Sequence, residues 1–255
     1  MLIGIGQIDI AWEDPPGNRE TAERIAKKAA QRGCDVLVLP ELFTSGFSMS
    51  TAKFAEAMDG PTCALLAGVA CRSNLAILAG LAVQDNEKQA VTNSAVFFGR
   101  TGRPPTRFDK LHPFSLSGED RYYKRGGVPV AFDIEGTRAS VLICYDLRFP
   151  EAFRTVAPEV SIFFVIANWP SGRDSHWESL LKARAIENQA FVVGVNRVGE
   201  DGNGVAHNGG SLAFGPWGDE LARGGSKEEL LLVDIDPAEV GTIRRQYPFL
   251  CDRRL

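Results

Sequence analysis

Histidine is scarce in this chain: 255 residues contain three, His112, His176 and His207, and they stand far apart. No His-x₃-His pair and no Cys-x-x-Cys is present, so zinc-site spacing is missing, and neither a metal nor an organic cofactor is expected. No run of about 18 apolar residues occurs, which argues against a membrane span. Residues 1–10 lack a basic segment followed by a cleavable apolar core, and are expected to form a strand rather than a signal peptide. A formal net charge of -4 produces no field that would gather nucleic acid or an anionic membrane. The five cysteines, Cys34, Cys63, Cys71, Cys144 and Cys251, are odd in number and come without an export signal. A disulfide framework is therefore not expected, and a reducing cytoplasm is. No linker, low-complexity tract or short repeat interrupts the chain, so residues 1–255 are expected to form one domain. What remains is ordinary for a globular protein, with 44% hydrophobic and 24% charged residues.

Apolar runs alternate with helical spacing. Residues 2–8, 36–39, 75–83, 91–99, 139–143, 160–167, 191–195, 211–214 and 230–235 read as strands, several of them continuous apolar runs of the buried kind. Asn18 is a candidate helix cap, Ala22, Ile25, Ala26, Ala29 and Ala30 recur at helical spacing, and Gly33 supplies the stop. Helices are also expected over residues 61–72, from Glu151, over the stretch marked by Trp177, Leu181, Arg184 and Ala185, and from Pro237. Residues 100–105 and 216–218 read as turns. The order implies α/β layers around a large sheet core.

Several apolar strands end in polar or reactive residues: Leu39-Pro40-Glu41, Ile143-Cys144, Ala167-Asn168-Trp169 and Val195-Asn196-Arg197. Ligands of open α/β sheets gather beyond the carboxyl ends of strands, so these ends are expected to line one pocket. An arbitrary cysteine is most often a small buried apolar residue, and Cys34, Cys63, Cys71 and Cys251 keep that reading. Cys144 differs, because Tyr145, Asp146 and Arg148 mark an abrupt polar turn that can expose a thiol and aim the following backbone N–H at an oxyanion. A thiol with an ordinary pKa is only a few per cent ionised at neutral pH and needs a base. The histidines stand in no papain-like signature. Glu41, a charge directly after an apolar strand and a proline, is the better base, although such a glutamate can equally cap a helix. Lys110 alone would be a solvated surface residue, and its candidacy rests on combination with the other two.

Pro40-Glu41-Leu42-Phe43, Asp109-Lys110-Leu111-His112 and Cys144-Tyr145-Asp146-Leu147-Arg148-Phe149-Pro150-Glu151 together resemble the signature segments of the nitrilase, or carbon–nitrogen hydrolase, superfamily. The order matches and the likeness covers nearly the whole chain. The resemblance implies a four-layer α-β-β-α sandwich, a homodimer, and a catalytic triad of Glu41, Lys110 and Cys144 assisted by a second glutamate, which maps onto Glu119. It also implies an oxyanion held by Lys110 and the Tyr145 backbone N–H. Within the superfamily, residues 43–49 and Ala167-Asn168-Trp169-Pro170 are most similar to the ω-amidases, which remove the terminal amide of α-keto acids such as 2-oxoglutaramate.

Such a substrate carries a carboxylate. Arg173 is the preferred cation for it and Arg197 the alternative, while Arg148 is expected to pair with Glu151 or another acid. Phe43, Asn168, Trp169 and Arg173 are the expected substrate contacts. Another amidase of the superfamily, an N-carbamoyl hydrolase and a silent binding scaffold are the competing readings.

Overall fold

The computed structural model describes residues 1–85, 87 and 89–254. Its strands form two six-stranded sheets and one small hairpin. The first sheet contains β1 (Leu2–Gln7), β2 (Val36–Val38), β3 (Ala76–Asp85), β4 (Ala90–Phe98) and β5 (Thr106–Asp109). The second contains β6 (Ala131–Ile134), β7 (Thr137–Ile143), β8 (Ile162–Ile166) and β9 (Phe191–Val195). The hairpin β10 (Val198–Glu200) and β11 (Ala206–Asn208) stands apart, β12 (Leu212–Phe214) and β13 (Glu220–Arg223) complete the second sheet, and β14 (Glu229–Asp234) returns to the first.

The sheet orders are β14-β1-β2-β3-β4-β5 and β13-β12-β9-β8-β7-β6. Each has parallel strands at its centre, β1-β2-β3 in one and β7-β8-β9 in the other, with antiparallel strands outside them. Helices α1 (Pro15–Gln31), α2 (Thr51–Phe54) and α3 (Pro61–Ser73) belong to the first half. Helices α4 (Pro150–Val156), α5 (Asp174–Asn188) and α6 (Ala238–Gln246) belong to the second.

Alternation along the strands builds the layers. Ile3, Ile5, Val36, Val38 and Leu78 face inward to meet Ala139, Ile143, Ile162, Phe164 and Val193, and these make the core between the sheets. Their neighbours Leu37, Leu39, Ile77 and Ala79 face outward and pack under Ile25, Ala29, Leu66 and Ala70 of α1 and α3. On the other side Phe163, Val165 and Val192 pack under Phe153 of α4 and Trp177 and Leu181 of α5. The result is an α-β-β-α sandwich, as the family resemblance implies. Among the described residues no helix is long and apolar enough to cross a membrane.

The start of α1 differs from the expectation. Asp14 caps it, accepting the Gly17 N–H at 3.2 Å, and Pro15 and Pro16 occupy the first turn, where their missing N–H groups cost nothing. Asn18 lies inside the helix. Its side chain accepts from Ala11 N at 2.9 Å and donates to Ala11 O and Thr44 O at 2.7 and 2.8 Å. It thereby ties the helix to the loop that follows Glu41.

Candidate active site

Glu41, Lys110 and Cys144 come from both sheets, each just beyond the end of a strand. The Glu41 segment leaves β2 and lies directly against β3 at Gly80. A Cβ at position 80 would overlap Glu41 Cα and stand 2.7 Å from both Leu42 N and Pro40 O, so the close approach requires glycine. The Gly80 N–H donates to Pro40 O at 3.1 Å, and its carbonyl accepts the Phe43 N–H at 2.9 Å. Lys110 follows β5, its N–H donating to Asn93 O at 2.8 Å and its carbonyl accepting the Gly126 N–H at 2.7 Å. Cys144 directly follows β7 and opens a 3-10 turn, Cys144–Arg148, with φ +47°, a left-handed conformation that non-glycine residues rarely adopt.

The charged centre is closed off from water: Glu41, Lys110 and Glu119 are each at most 1% exposed. Lys110 Nζ donates to Glu41 Oε1 at 2.8 Å and to Glu119 Oε2 at 2.9 Å. Asn93 Nδ2 donates to Glu41 Oε1 at 2.7 Å and to Glu119 Oε1 at 2.9 Å. The Asn168 N–H donates to Glu41 Oε2 at 2.9 Å, its Nδ2 donates to Glu41 O at 2.6 Å, and the Phe114 N–H donates to Glu119 Oε2 at 2.5 Å. Buried charges are tolerated only when paired and hydrogen-bonded in this way.

The electrostatics assign protonation states. Burial pushes the Glu41 carboxyl up, but the Lys110 ammonium and the donated hydrogen bonds outweigh it and hold the group below the ordinary carboxylate range. Burial pulls Lys110 down, and the carboxylates of Glu119 and Glu41 more than reverse that, so the ammonium form prevails well above its usual range. The Cys144 thiol is raised well above its ordinary value, first by burial and then by the negative charge of Glu41. At rest the centre therefore holds a thiol facing a carboxylate that can accept its proton, beside a fixed ammonium.

A pocket of about 210 Å³ opens on this centre. Its wall includes Lys110, Cys144, Tyr145, Asn168, Trp169 and Arg173, all nominated from the sequence. Asn168 O lies 4.0 Å from Cys144 Sγ. Trp169 is 2% exposed and donates its indole N–H to Arg173 O at 2.8 Å. The Arg173 guanidinium lies 5.5 Å from the centroid of the Phe114 ring.

Other nominated residues fall elsewhere. Phe43 is fully buried under α1 and α3 and does not line the pocket; from the same segment Phe47 does. The reason is the backbone of Leu42, whose φ of +45° turns Phe43 outward as its N–H meets Gly80 O. Arg197 is 0% exposed and spent on structure, donating to Val198 O at 2.9 Å, Ile10 O at 3.0 Å and Asp9 Oδ1 at 3.1 Å. Asn196 clamps the Trp169 backbone from behind, accepting its N–H at 2.8 Å and donating to its carbonyl at 3.1 Å. Arg148 does not pair with Glu151. It lies 5.0 Å from the Trp169 ring centroid and joins the pocket wall, an arrangement that a cation and an indole face favour.

Asn93 in the centre and Phe47, Phe114 and Leu116 in the wall are not among the residues that the sequence points to. For Asn93 a signal existed: Thr92-Asn93-Ser94 is a polar run inside an otherwise apolar strand, and all three side chains are buried. Among the described residues no group of three or more His, Cys, Asp or Glu side chains could hold a metal ion.

Comparisons with known proteins identify the family and the fold. The carbon-nitrogen hydrolase family model matches residues 2–245. A 2-oxoglutaramate amidase of Bacillus subtilis is 36% identical over 97% of this chain and 95% of its own length. An ω-amidase of Escherichia coli K12 is 35% identical over 97% and 94%. Among solved structures, a CN-hydrolase superfamily protein from Xanthomonas campestris with an arsenic adduct in its active site superposes with a TM-score of 0.94 at 32% identity, covering 100% of this chain and 97% of that one. An amidase from Nesterenkonia sp. AN1, described with acrylamide added at its active-site cysteine, superposes with a TM-score of 0.88 at 27% identity, covering 100% and 96%.

Proposed function

The chain belongs to the carbon-nitrogen hydrolase family and is a hydrolase of non-peptide carbon–nitrogen bonds, and from that premise we propose that it is an ω-amidase acting on short amides with a carboxylate at the far end, such as 2-oxoglutaramate. The observation that carries this reading is the pocket itself. Cys144 and Lys110 lie in its wall, and so do two arginines, Arg148 and Arg173, each lying near an aromatic ring. An arginine can meet a carboxylate with two parallel hydrogen bonds, which fixes direction as well as distance. The likeness to the 2-oxoglutaramate amidase of Bacillus subtilis supports the same substrate class.

In the proposed reaction Glu41 accepts the thiol proton as Cys144 Sγ attacks the amide carbon. The tetrahedral oxyanion is held by the Lys110 ammonium and the Tyr145 backbone N–H. A donor of this kind contributes about 3–4 kcal/mol to the transition state. Glu41 then passes the proton to the amide nitrogen, the C–N bond breaks and ammonia leaves a thioester on Cys144. A water molecule, deprotonated by Glu41 with Glu119 assisting, attacks the thioester and releases the carboxylic acid and the thiol. The resting thiol protonation suits this order, because the proton moves when substrate is present.

Ammonia release from 2-oxoglutaramate, compared with an uncharged amide of equal length, tests the assignment. Arg173→Ala should raise KM for the charged substrate about tenfold and leave the uncharged amide nearly unchanged. Equal rates on the two substrates by the wild-type enzyme would reduce the assignment to an amidase without a carboxylate clamp. We further place the protein in the cytoplasm as a homodimer. The free state of all five cysteines supports the first. An exposed cluster of Trp217, Tyr247 and Phe249 supports the second, since exposed apolar patches mark contact surfaces.

A further inference from the structure

Asp146 stands two residues beyond the nucleophile and is 1% exposed. Donors from two chain segments surround its carboxylate. Oδ2 accepts the Ile143 N–H at 3.0 Å and the Leu111 N–H at 3.3 Å. Oδ1 accepts the His112 N–H at 2.8 Å and lies 2.8 Å from His112 Nδ1. The bond to Ile143 N braces the turn in which Cys144 takes its left-handed conformation. The others brace the residues directly after Lys110. The His112 ring is itself stacked on Phe149, with centroids 3.7 Å apart, at the far end of the same turn.

Lys110 follows β5 of the first sheet and Cys144 follows β7 of the second, and β5 and β7 are not hydrogen-bonded neighbours. The separation of the ammonium from the nucleophile turn therefore depends on side chains that bridge the sheets. Asp146 is such a bridge, and it is absent from the pocket wall, so it acts through other groups.

We propose that Asp146, with His112 as its ring partner, is the positioning residue that sets the distance between the Lys110 ammonium and the Cys144–Tyr145 turn, and hence the place where the oxyanion is held. The proposal rests on the reading of Lys110 and the Tyr145 N–H as oxyanion donors. Such donors act only within about 2.7–3.1 Å of the developing charge, and a misplacement of about 1 Å can cost on the order of 100-fold in rate.

Asp146→Asn keeps the shape but turns one acceptor into a donor facing N–H groups. Its kcat per titratable Cys144 should fall about 30- to 100-fold, with KM within about threefold. A merely structural role would lower the melting temperature and the titratable fraction while leaving kcat per thiol unchanged. A second pair of variants keeps the test decisive if Asp146→Asn fails to fold. His112→Phe retains the stack on Phe149 and deletes the ring–carboxylate bond, whereas His112→Asn gives up the stack and restores a side-chain N–H to the carboxylate, so the pair separates the two contacts. The first should lose about 5- to 10-fold in kcat and the second should recover to within about twofold.

Folded Asp146→Asn with unchanged kcat per thiol, or equal turnover by the two His112 variants, overturns the proposal. A wild-type enzyme that releases no ammonia from any amide overturns this proposal and the amidase reading together. Wild-type turnover with unaffected variants overturns this one alone.

Discussion

The charged centre and the pocket wall are built by opposite means. In the centre, Lys110, Glu41, Glu119 and Asn93 are cross-braced by hydrogen bonds of 2.7–2.9 Å and shut away from water. In the wall, Arg148 and Arg173 lie beside ring faces and keep partly open surfaces. In the proposed reaction the first construction holds groups that must not move during bond making. The second leaves cations partly exposed on the pocket, where a ligand can reach them. The two regions should therefore fail differently: the centre as one unit, chiefly in kcat, and the wall residue by residue, chiefly in KM.

The sharpest way to set the regions apart is to delete the nucleophile. Cys144→Ala should lower ammonia release by at least about 10⁴-fold with the fold intact by circular dichroism, and Cys144→Ser should be nearly as inactive because a hydroxyl is far harder to ionise. Residual turnover above trace level would remove Cys144 from its assigned role. Next in size, Lys110→Ala and Glu41→Gln should each cost about 10²–10³-fold in kcat, and the double variant should lose much less than the product of the two. A Lys110→Ala enzyme altered only in KM would transfer that lysine from the centre to the wall.

Smaller effects test the wall. Arg148→Ala should raise KM for a carboxylated amide about tenfold, with kcat within about twofold. A fall in kcat of the same size would break the distinction between the regions. The smallest expected effect is on pH. Glu41 is held ionised below the ordinary carboxylate range and Cys144 protonated above the ordinary thiol range, so kcat/KM should be nearly flat from about pH 6 to 9. It should fall on the acid side only as Glu41 takes up its proton. A rise through the usual thiol pKa would mean that the free thiolate, not the thiol–carboxylate pair, is the reactive form.

Much of this arrangement is legible in the sequence, and the remainder is hidden for identifiable reasons. The central parallel strands are buried on both faces and announce themselves as apolar runs such as Val36–Val38 and Ile162–Ile166. The outer strands Thr106–Asp109, Ala131–Ile134 and Glu220–Arg223 are only four residues each and partly exposed, so periodicity does not reveal them. Glu41 and Cys144 stand out because each follows an apolar strand. Lys110 has no such mark and emerges only through resemblance. Phe43 is turned into the core, and Phe47 lines the pocket instead, because the positive φ at Leu42 is not visible in residue types. Arg197 and Arg148 exchange roles for a similar reason: the Ile10 carbonyl and Asp9 carboxylate that hold Arg197, and the indole face beside Arg148, are contacts over long sequence separations.

The protonated state of Cys144 also bears on how such an enzyme endures oxidants. Peroxide and disulfide exchange act on the thiolate rather than the thiol. A nucleophile kept neutral by burial and by the adjacent Glu41 charge offers little thiolate to attack between turnovers. In the proposed reaction the sulfur thus stays neutral in the empty enzyme and gives up its proton only when the amide arrives.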